Sequence, residues 1–274
     1  MLRSSNPILS KRDAFTPAAP QYGQAPYGQT QYGQAPYGQD PYGQGPVQTG
    51  QGRMTLDDVI TKTAVTLGIL AITAGLAWNF VPESLYFPAM ILSALVGFVV
   101  VLLVSFRRVV SPPLVLLYAA IEGVFIGMIS KVFESYYPGI VAQAVVATFF
   151  AAGATLAAYK FFNIRVTAKF TKVVVISTVA FAALMLVNFV FSLATGSAGL
   201  RGGIVGPVSP LAVGISAIAI VLAVFNLILD FDYIEKGVQQ GAPAKESWRG
   251  AFGLTVTMVW LYIEMLRLIS YIRR

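Results

Sequence analysis

The sequence predicts an all-α membrane protein, a bundle of seven transmembrane helices preceded by a disordered N-terminal tail. Of its 274 residues, 56% are hydrophobic and only 11% are charged, whereas a soluble domain carries about 25% charged residues. From residue 59 onward the chain contains seven apolar stretches. Each has roughly the 20 residues that a helix needs to cross a bilayer.

Residues 1–53 are predicted to be the disordered tail, and residues 54–274 the transmembrane domain. Within the tail the unit Tyr-Gly-Gln recurs five times, beginning at Tyr22, Tyr27, Tyr32, Tyr37 and Tyr42. Glycine and proline break regular structure, and the segment has almost no aliphatic side chains with which to build a core. The evenly spaced tyrosines leave open a weak self-association role beside that of a plain tether.

The helix boundaries follow from local signals. Thr55, followed by Asp57 and Asp58, fits a capping pattern with acids near the positive helix N-terminus. Proline and glycine then mark the breaks between apolar stretches, as at Pro112 and at the Gly-rich segment 196–210. The predicted spans are residues 59–80, 86–106, 114–133, 140–161, 173–194, 211–229 and 252–271.

The basic residues predict the orientation, because cytoplasmic loops carry an excess of lysine and arginine. Three alternate connections contain most of them: Arg107 and Arg108; Arg165, Lys169 and Lys172; Lys236, Lys245 and Arg249. This bias places the N-terminus in the cytoplasm and the C-terminus outside a bacterial cytoplasmic membrane. Arg273 and Arg274 weakly oppose it. A re-entrant seventh segment, with both ends inside, is the alternative.

Composition also excludes several kinds of site. The chain has no cysteine and no histidine, which excludes disulfides, thiolate nucleophiles, Ser-His-Asp triads and the metalloprotease motif H-E-x-x-H. We therefore predict that the protein is not an enzyme and has no cofactor. The net charge of +7 resides largely in short loops, so the expected partner is the lipid bilayer rather than nucleic acid. The sequence identifies no protein partner.

Acidic residues within the apolar stretches are the candidate functional residues. Glu122 lies in the third stretch, Asp230 ends the sixth with Asp232 just beyond it, and Glu264 lies in the seventh. A charged group at the bilayer centre costs about 2.5–3.5 kcal/mol on insertion scales, so such residues usually face the bundle interior and mark an ion or proton path. Ca²⁺ prefers oxygen ligands, and we expect Asp230 and Glu264 to be its transient ligands.

Asp230 and Glu264 are predicted to form a pH sensor if the sixth and seventh helices are antiparallel neighbours. Two nearby carboxylates in a low-dielectric interior do not readily ionise together, so the pair would share a proton and respond to pH without any histidine. Arg107 and Arg108 end the second helix on the same predicted side as Asp230. A salt bridge from either arginine to Asp230 would hold that end of the bundle shut.

Simpler interpretations remain open for each carboxylate. Asp230 and Asp232 would cap a helix end and pair with Lys236, whereas Glu264 would pair with Arg267 three residues later on the same helix. Glu122 would be a protonated side chain bonded to a neighbouring carbonyl.

Two further features near these acids also have structural interpretations. Gly123 and Gly127 have the G-x-x-x-G spacing that lets two helices approach closely, and this seam would turn Glu122 inward. Arg107 and Arg108 would be ordinary cytoplasmic anchors.

At these motifs the chain resembles the bacterial branch of the Bax inhibitor-1 family, also called the transmembrane Bax inhibitor motif family. The resemblance covers residue 54 to the C-terminus. It rests on three separated motifs: Glu122-Gly123, Leu229-Asp-Phe-Asp232 and Leu261-Tyr-Ile-Glu-Met-Leu-Arg267. It implies seven helices arranged around a central C-terminal helix, and a pH-sensitive calcium leak.

The resemblance also implies residue roles. The first sensor acid maps to Asp230, with Asp232 as its nearest competitor, and the second maps to Glu264. The gate arginine maps to Arg107, with Arg108 as its competitor. The chain departs from the family pattern because its second acid is Glu rather than Asp, and because the connection between the sixth and seventh helices is longer.

The sequence therefore predicts a pH-sensitive Ca²⁺ leak channel whose partners are Ca²⁺ and H⁺. One alternative is a proton-coupled transporter, although no clear internal repeat supports it. Another is a non-conducting scaffold that uses the tail to bind its partners. An intramembrane aspartyl protease is disfavoured, because the second acid is Glu264 and no G-x-G-D string occurs.

Overall fold

The computed structural model describes residues 52–107 and 109–274 and confirms the predicted fold class. Seven helices, all long and apolar enough to cross a membrane, follow one another, and no strand occurs among the described residues. They are α1 (Leu56–Phe80), α2 (Tyr86–Phe106), α3 (Pro112–Tyr136), α4 (Ile140–Phe161), α5 (Ala168–Thr195), α6 (Pro210–Gln239) and α7 (Glu246–Ile272). The predicted tail lies outside the described residues except for Gly52 and Arg53, and it stays a prediction.

The start of α1 is capped as the sequence predicts. The hydroxyl oxygen of Thr55 accepts a hydrogen bond from the backbone N–H of Asp58 at 3.2 Å. Just before it, Met54 is only 2% exposed, and its N–H donates to the Ala242 carbonyl at 2.7 Å. This contact fixes the beginning of the bundle against the connection between α6 and α7.

Helix α7 occupies the centre of the bundle, as the family resemblance implies. It packs against α1, α3, α4 and α6, and Ala251, Leu261 and Leu266 on it are fully buried. Helix α5, by contrast, has Val174 as its one buried residue and lies at the periphery. A polar side chain on α7 is therefore held inside the protein rather than in lipid.

Glycines on α3 allow it to pack closely on α1. A Cβ atom added at Gly123 would collide with the Thr73 side chain, and one added at Gly127 would collide with the backbone of Ala74. The close-approach role predicted for the G-x-x-x-G spacing is confirmed, and its partner is α1. Interfaces between membrane helices favour small residues for this reason.

Several helix ends differ from the predicted bounds, among them the start of α5 at Ala168 rather than 173, and two of the differences affect the acidic residues. Helix α6 continues to Gln239 rather than ending at residue 229, and α7 begins at Glu246 rather than at 252. The extra turns are polar, so hydropathy does not detect them. An i,i+4 ion pair between Asp232 and Lys236 accompanies the helical extension of α6. Asp230 consequently lies within a helix, not at its end.

The seventh segment is one continuous helix that crosses the whole bundle. Its N-terminal end follows the α6–α7 connection, and just beyond its C-terminal end Arg273 donates hydrogen bonds to the carbonyls of Tyr137 and Pro138. Those two residues belong to the connection between α3 and α4, on the opposite side. This continuous helix favours a full span over the re-entrant alternative, and the side on which each terminus lies stays a prediction.

Candidate functional site

Asp230 lies in the seam between α6 and α7. One of its carboxylate oxygens accepts a hydrogen bond from the Thr257 hydroxyl at 2.7 Å. The other faces Gly253, where an added Cβ would come within 2.8 Å of it. With a rise of 1.5 Å per residue, Asp230 sits about 13 Å along α6 from its end at Gln239. The carboxylate is thus held inside the span, in space that the missing side chain of Gly253 provides.

Glu264 lies much nearer the other end of α7 and has a different partner. It is 2% exposed, and its Oε1 accepts a hydrogen bond from Arg201 Nη1 at 2.7 Å. Arg201 is 8% exposed and comes from a short 3₁₀ turn, Gly199–Arg201, between α5 and α6. The ring of Phe181 lies 5.4 Å from its guanidinium group. This connection therefore inserts a cation into the bundle against an acid.

The structure does not bring Asp230 and Glu264 together, contrary to the sequence expectation. Thr257, the partner of Asp230, and Glu264 are separated by two helical turns, or about 10 Å along α7. Their carboxylates also point to different elements, one to the Thr257 hydroxyl and the other to Arg201. The physical reason is the position of the α6–α7 connection at residues 240–245. Because Asp230 lies ten residues before this connection, an antiparallel α7 presents residues about ten positions after it, near Thr257, and Glu264 lies further along the helix.

Glu122 occupies a third location, between α2 and α3. An added Cβ at Gly97 on α2 would lie 2.9 Å from its Oε2, so Glu122 faces away from the α1 seam that Gly123 and Gly127 form. Within residues 52–107 and 109–274 its carboxylate accepts no hydrogen bond, so the carbonyl-bonded interpretation is not observed. One turn earlier, Tyr118 packs edge-to-face on Phe252 of α7, with ring centroids 5.2 Å apart. Glu122 is therefore close to the depth of Asp230.

A family model described as Bax inhibitor 1 like matches residues 6–274. The chain belongs to the Bax inhibitor 1 like family. A comparison with curated proteins found no match. The match covers essentially the whole chain, and with the seven apolar helices it identifies a multi-pass membrane protein of this family.

In this Bax inhibitor 1 like protein the expected gate salt bridge is not formed among the described residues. Arg107 is exposed and makes no ion pair there; its backbone carbonyl accepts a hydrogen bond from Arg249 at 3.3 Å. Arg108 lies outside the described residues. Asp232 pairs with Lys236 at 2.6 Å, which is the structural alternative noted for it. Asp232 is therefore held by its own helix.

The buried ion pair between Arg201 and Glu264 was missed by sequence reasoning. The available signal was that Arg201 is the lone charged residue in the Gly-rich segment 196–210. The alternative partner, Arg267, does not pair with Glu264; its Nε is buried without a hydrogen-bond partner among the described residues. Arg201 Nε and Nη2 and Glu264 Oε2 are likewise unpartnered there, so the cluster is only partly satisfied.

The expected Ca²⁺ ligand pair is accordingly not assembled in this conformation. The described part of the chain contains no group of three or more acidic side chains that could hold a metal ion. Glu264 is already neutralised by Arg201. Asp230 differs from Glu264 in its partners. It accepts a hydrogen bond from one hydroxyl group, and it forms no ion pair among the described residues.

Proposed function

We propose that this protein is a non-enzymatic, pH-sensitive cation leak, passing Ca²⁺ across a bacterial cytoplasmic membrane. The observation that carries the proposal is Asp230, held between α6 and α7 with one hydroxyl partner and no ion pair among the described residues. A carboxylate within a membrane span marks an ion or proton path by default. Ca²⁺ favours such oxygen ligands.

The pH response in this proposal belongs to Asp230, assisted by Glu122, rather than to a carboxylate pair. When ionised, these side chains attract a cation into the bundle; when protonated, they do not. The leak therefore increases as pH rises through their titration. The two acids line different seams but lie at a similar depth, so both act on a cation that reaches this level.

The buried pair of Arg201 and Glu264 closes the opposite end of the path in this proposal. Removing one partner from a buried ion pair costs about 3–5 kcal/mol, because the other charge is left uncompensated. Opening thus requires that Arg201 be displaced while Glu264 is either protonated or bound to a cation. Glu264 is then a gate residue that binds a cation after Arg201 has left.

The test is Ca²⁺ flux into proteoliposomes from mildly acidic to mildly alkaline pH, comparing wild type with Asp230→Asn. The matched control is Asp232→Asn, which makes the same substitution two residues away at a side chain held by Lys236. We expect Asp230→Asn to flatten the pH dependence and Asp232→Asn to preserve it. If both variants retain the wild-type pH response, Asp230 is not the sensor.

Absence of wild-type flux above that of empty liposomes at every pH would reject conduction and favour the scaffold alternative. Where wild type does conduct, deletion of residues 1–53 gives a second test: a conducting core retains flux without the tail, whereas a scaffold that binds partners through the tail loses its function. A proton-coupled transporter would instead show Ca²⁺ movement that requires an imposed proton gradient. The proposed orientation, with the N-terminus in the cytoplasm and the C-terminus outside, rests on the distribution of basic loops.

A further inference from the structure

An apolar cavity of about 340 Å³ lies among α1, α3, α4 and α7. Its inner wall includes Met258 and Val259 of the central helix, which are 9% and 7% exposed. Its outer rim includes Gly75 on α1 and Val145 and Phe149 on α4. The cavity thus connects the core of the bundle with its outer surface.

The lining of this cavity offers no unpaired hydroxyl group. Ser130 and Tyr262 are hydrogen-bonded to each other at 2.7 Å, and the Thr148 hydroxyl donates to the Ala144 carbonyl at 2.7 Å. A water molecule in a cavity needs two to four polar partners, and an engineered apolar cavity of about 150 Å³ stays dry and binds benzene. The cavity is therefore suited to an apolar occupant.

The mouth of the cavity faces the hydrocarbon of the bilayer. Helices α1 and α4 make no close contact with each other along their described lengths, which leaves a gap between them. Phe149 is 58% and Val145 is 39% exposed at this gap. Both lie within a candidate span, about 7 to 14 Å along α4 from its first residue, Ile140. At that depth the surrounding medium is lipid acyl chain rather than water.

We propose that this cavity binds one acyl chain of a membrane phospholipid, which enters between α1 and α4 and reaches α7. The apolar lining of the cavity, its opening between α1 and α4, and the position of that opening within a candidate span all favour this occupant. The bound chain would contact α7 at Met258, next to Thr257, the hydrogen-bond partner of Asp230. Lipid occupancy would thereby brace the central helix. The site stands independently of whether the protein conducts ions.

Photo-crosslinking tests the proposal with the full-length protein in phosphatidylcholine–phosphatidylglycerol vesicles. The probe is a trace of phosphatidylcholine with a diazirine midway along one acyl chain. Bulk lipid does not reach the inner wall, so labelling of Met258 or Val259 reports a chain inside the cavity. Labelling of Phe150 on α4, which is 77% exposed, reports bulk lipid and serves as the internal reference.

Gly75→Leu is the blocking variant, and Gly68→Leu is its matched control on the same helix. An added Cβ at either glycine meets no atom within 4 Å, so both variants should fold, and both should gain helix propensity. Gly75 lies at the mouth, whereas Gly68 is seven residues, or about 10 Å, away along the same face and does not line the cavity.

The expected result is labelling of α7 in wild type and in Gly68→Leu, with a several-fold loss in Gly75→Leu. Labelling of Phe150 should stay the same in all three proteins. The proposal is overturned if wild-type α7 is unlabelled, or if the two variants label α7 equally. Labelling of α7 by a diazirine fatty acid but not by the phospholipid probe would also overturn it.

Discussion

At the scale of single residues, the surroundings of each acid decide what it can do. Glu264 has a cationic partner, Arg201, whereas Asp230 has a hydroxyl partner, Thr257. The Glu122 carboxylate lies against α2 at Gly97. Three carboxylates that look equivalent in an apolar sequence are therefore a gate, a sensor and an auxiliary acid in our proposal.

The Arg201–Glu264 pair predicts a large stability effect from single substitutions. Arg201→Gln leaves the Glu264 carboxylate buried without its partner, so we expect a loss of about 3–5 kcal/mol in the free energy of unfolding. The double variant Arg201→Gln/Glu264→Gln should recover much of that loss. Chemical or thermal unfolding in detergent measures both in a double-mutant cycle.

Arg274→Gln is the control for this cycle, because Arg274 is exposed and its side chain donates to the carbonyls of Gly203 and Gly206 in the same connection. It should change stability little. Additive losses from Arg201→Gln and Glu264→Gln would show that the buried pair contributes no coupling energy.

At the scale of helices, close packing of α3 on α1 contrasts with the gap between α1 and α4. On one side of α1, Gly127 of α3 touches the backbone of Ala74. On another side, Gly75 faces open space at the mouth of the cavity. Adjacent residues of α1 thus have opposite roles, because consecutive helical positions point in different directions around the axis.

This contrast predicts that a glycine-to-alanine substitution has opposite effects on stability at a packed position and at an open one. Gly127→Ala should destabilise the protein by about 1–3 kcal/mol, since the added Cβ meets backbone that can move only if the helices separate. Gly68→Ala should be neutral or stabilising by up to about 1 kcal/mol, since its Cβ meets open space. Melting temperatures in the same detergent compare the two, and equal values would contradict the tight α1–α3 seam.

At the scale of the whole molecule, the seven helices place alternate connections on opposite sides of the bilayer. The α6–α7 connection follows the end of α6, and α7 then runs to the side where Arg273 bonds the α3–α4 connection. The basic-residue bias predicts that the α6–α7 side is cytoplasmic. With that orientation we predict that Arg201, in the α5–α6 connection, enters the bundle from outside.

Single-cysteine labelling tests this orientation cleanly, because the chain contains no cysteine. Ser197→Cys, in the α5–α6 connection, should react with a membrane-impermeant maleimide added to intact cells. Lys245→Cys, in the α6–α7 connection, should react only after the membrane is permeabilised. Both positions are exposed. The reverse pattern would invert the topology, and labelling of both in intact cells would contradict a single orientation.

The sequence by itself determined the number, order and approximate positions of the spans, because each is specified locally by about 20 apolar residues between breakers. It also identified the three intramembrane acids and the G-x-x-x-G seam. Only the tertiary structure decided that Asp230 faces Thr257 and that Glu264 faces Arg201. The rotation and axial register of each helix depend on its contacts with other helices. No local sequence pattern predicts that α6 extends to Gln239, or that Arg201 in the α5–α6 connection contacts Glu264 on α7.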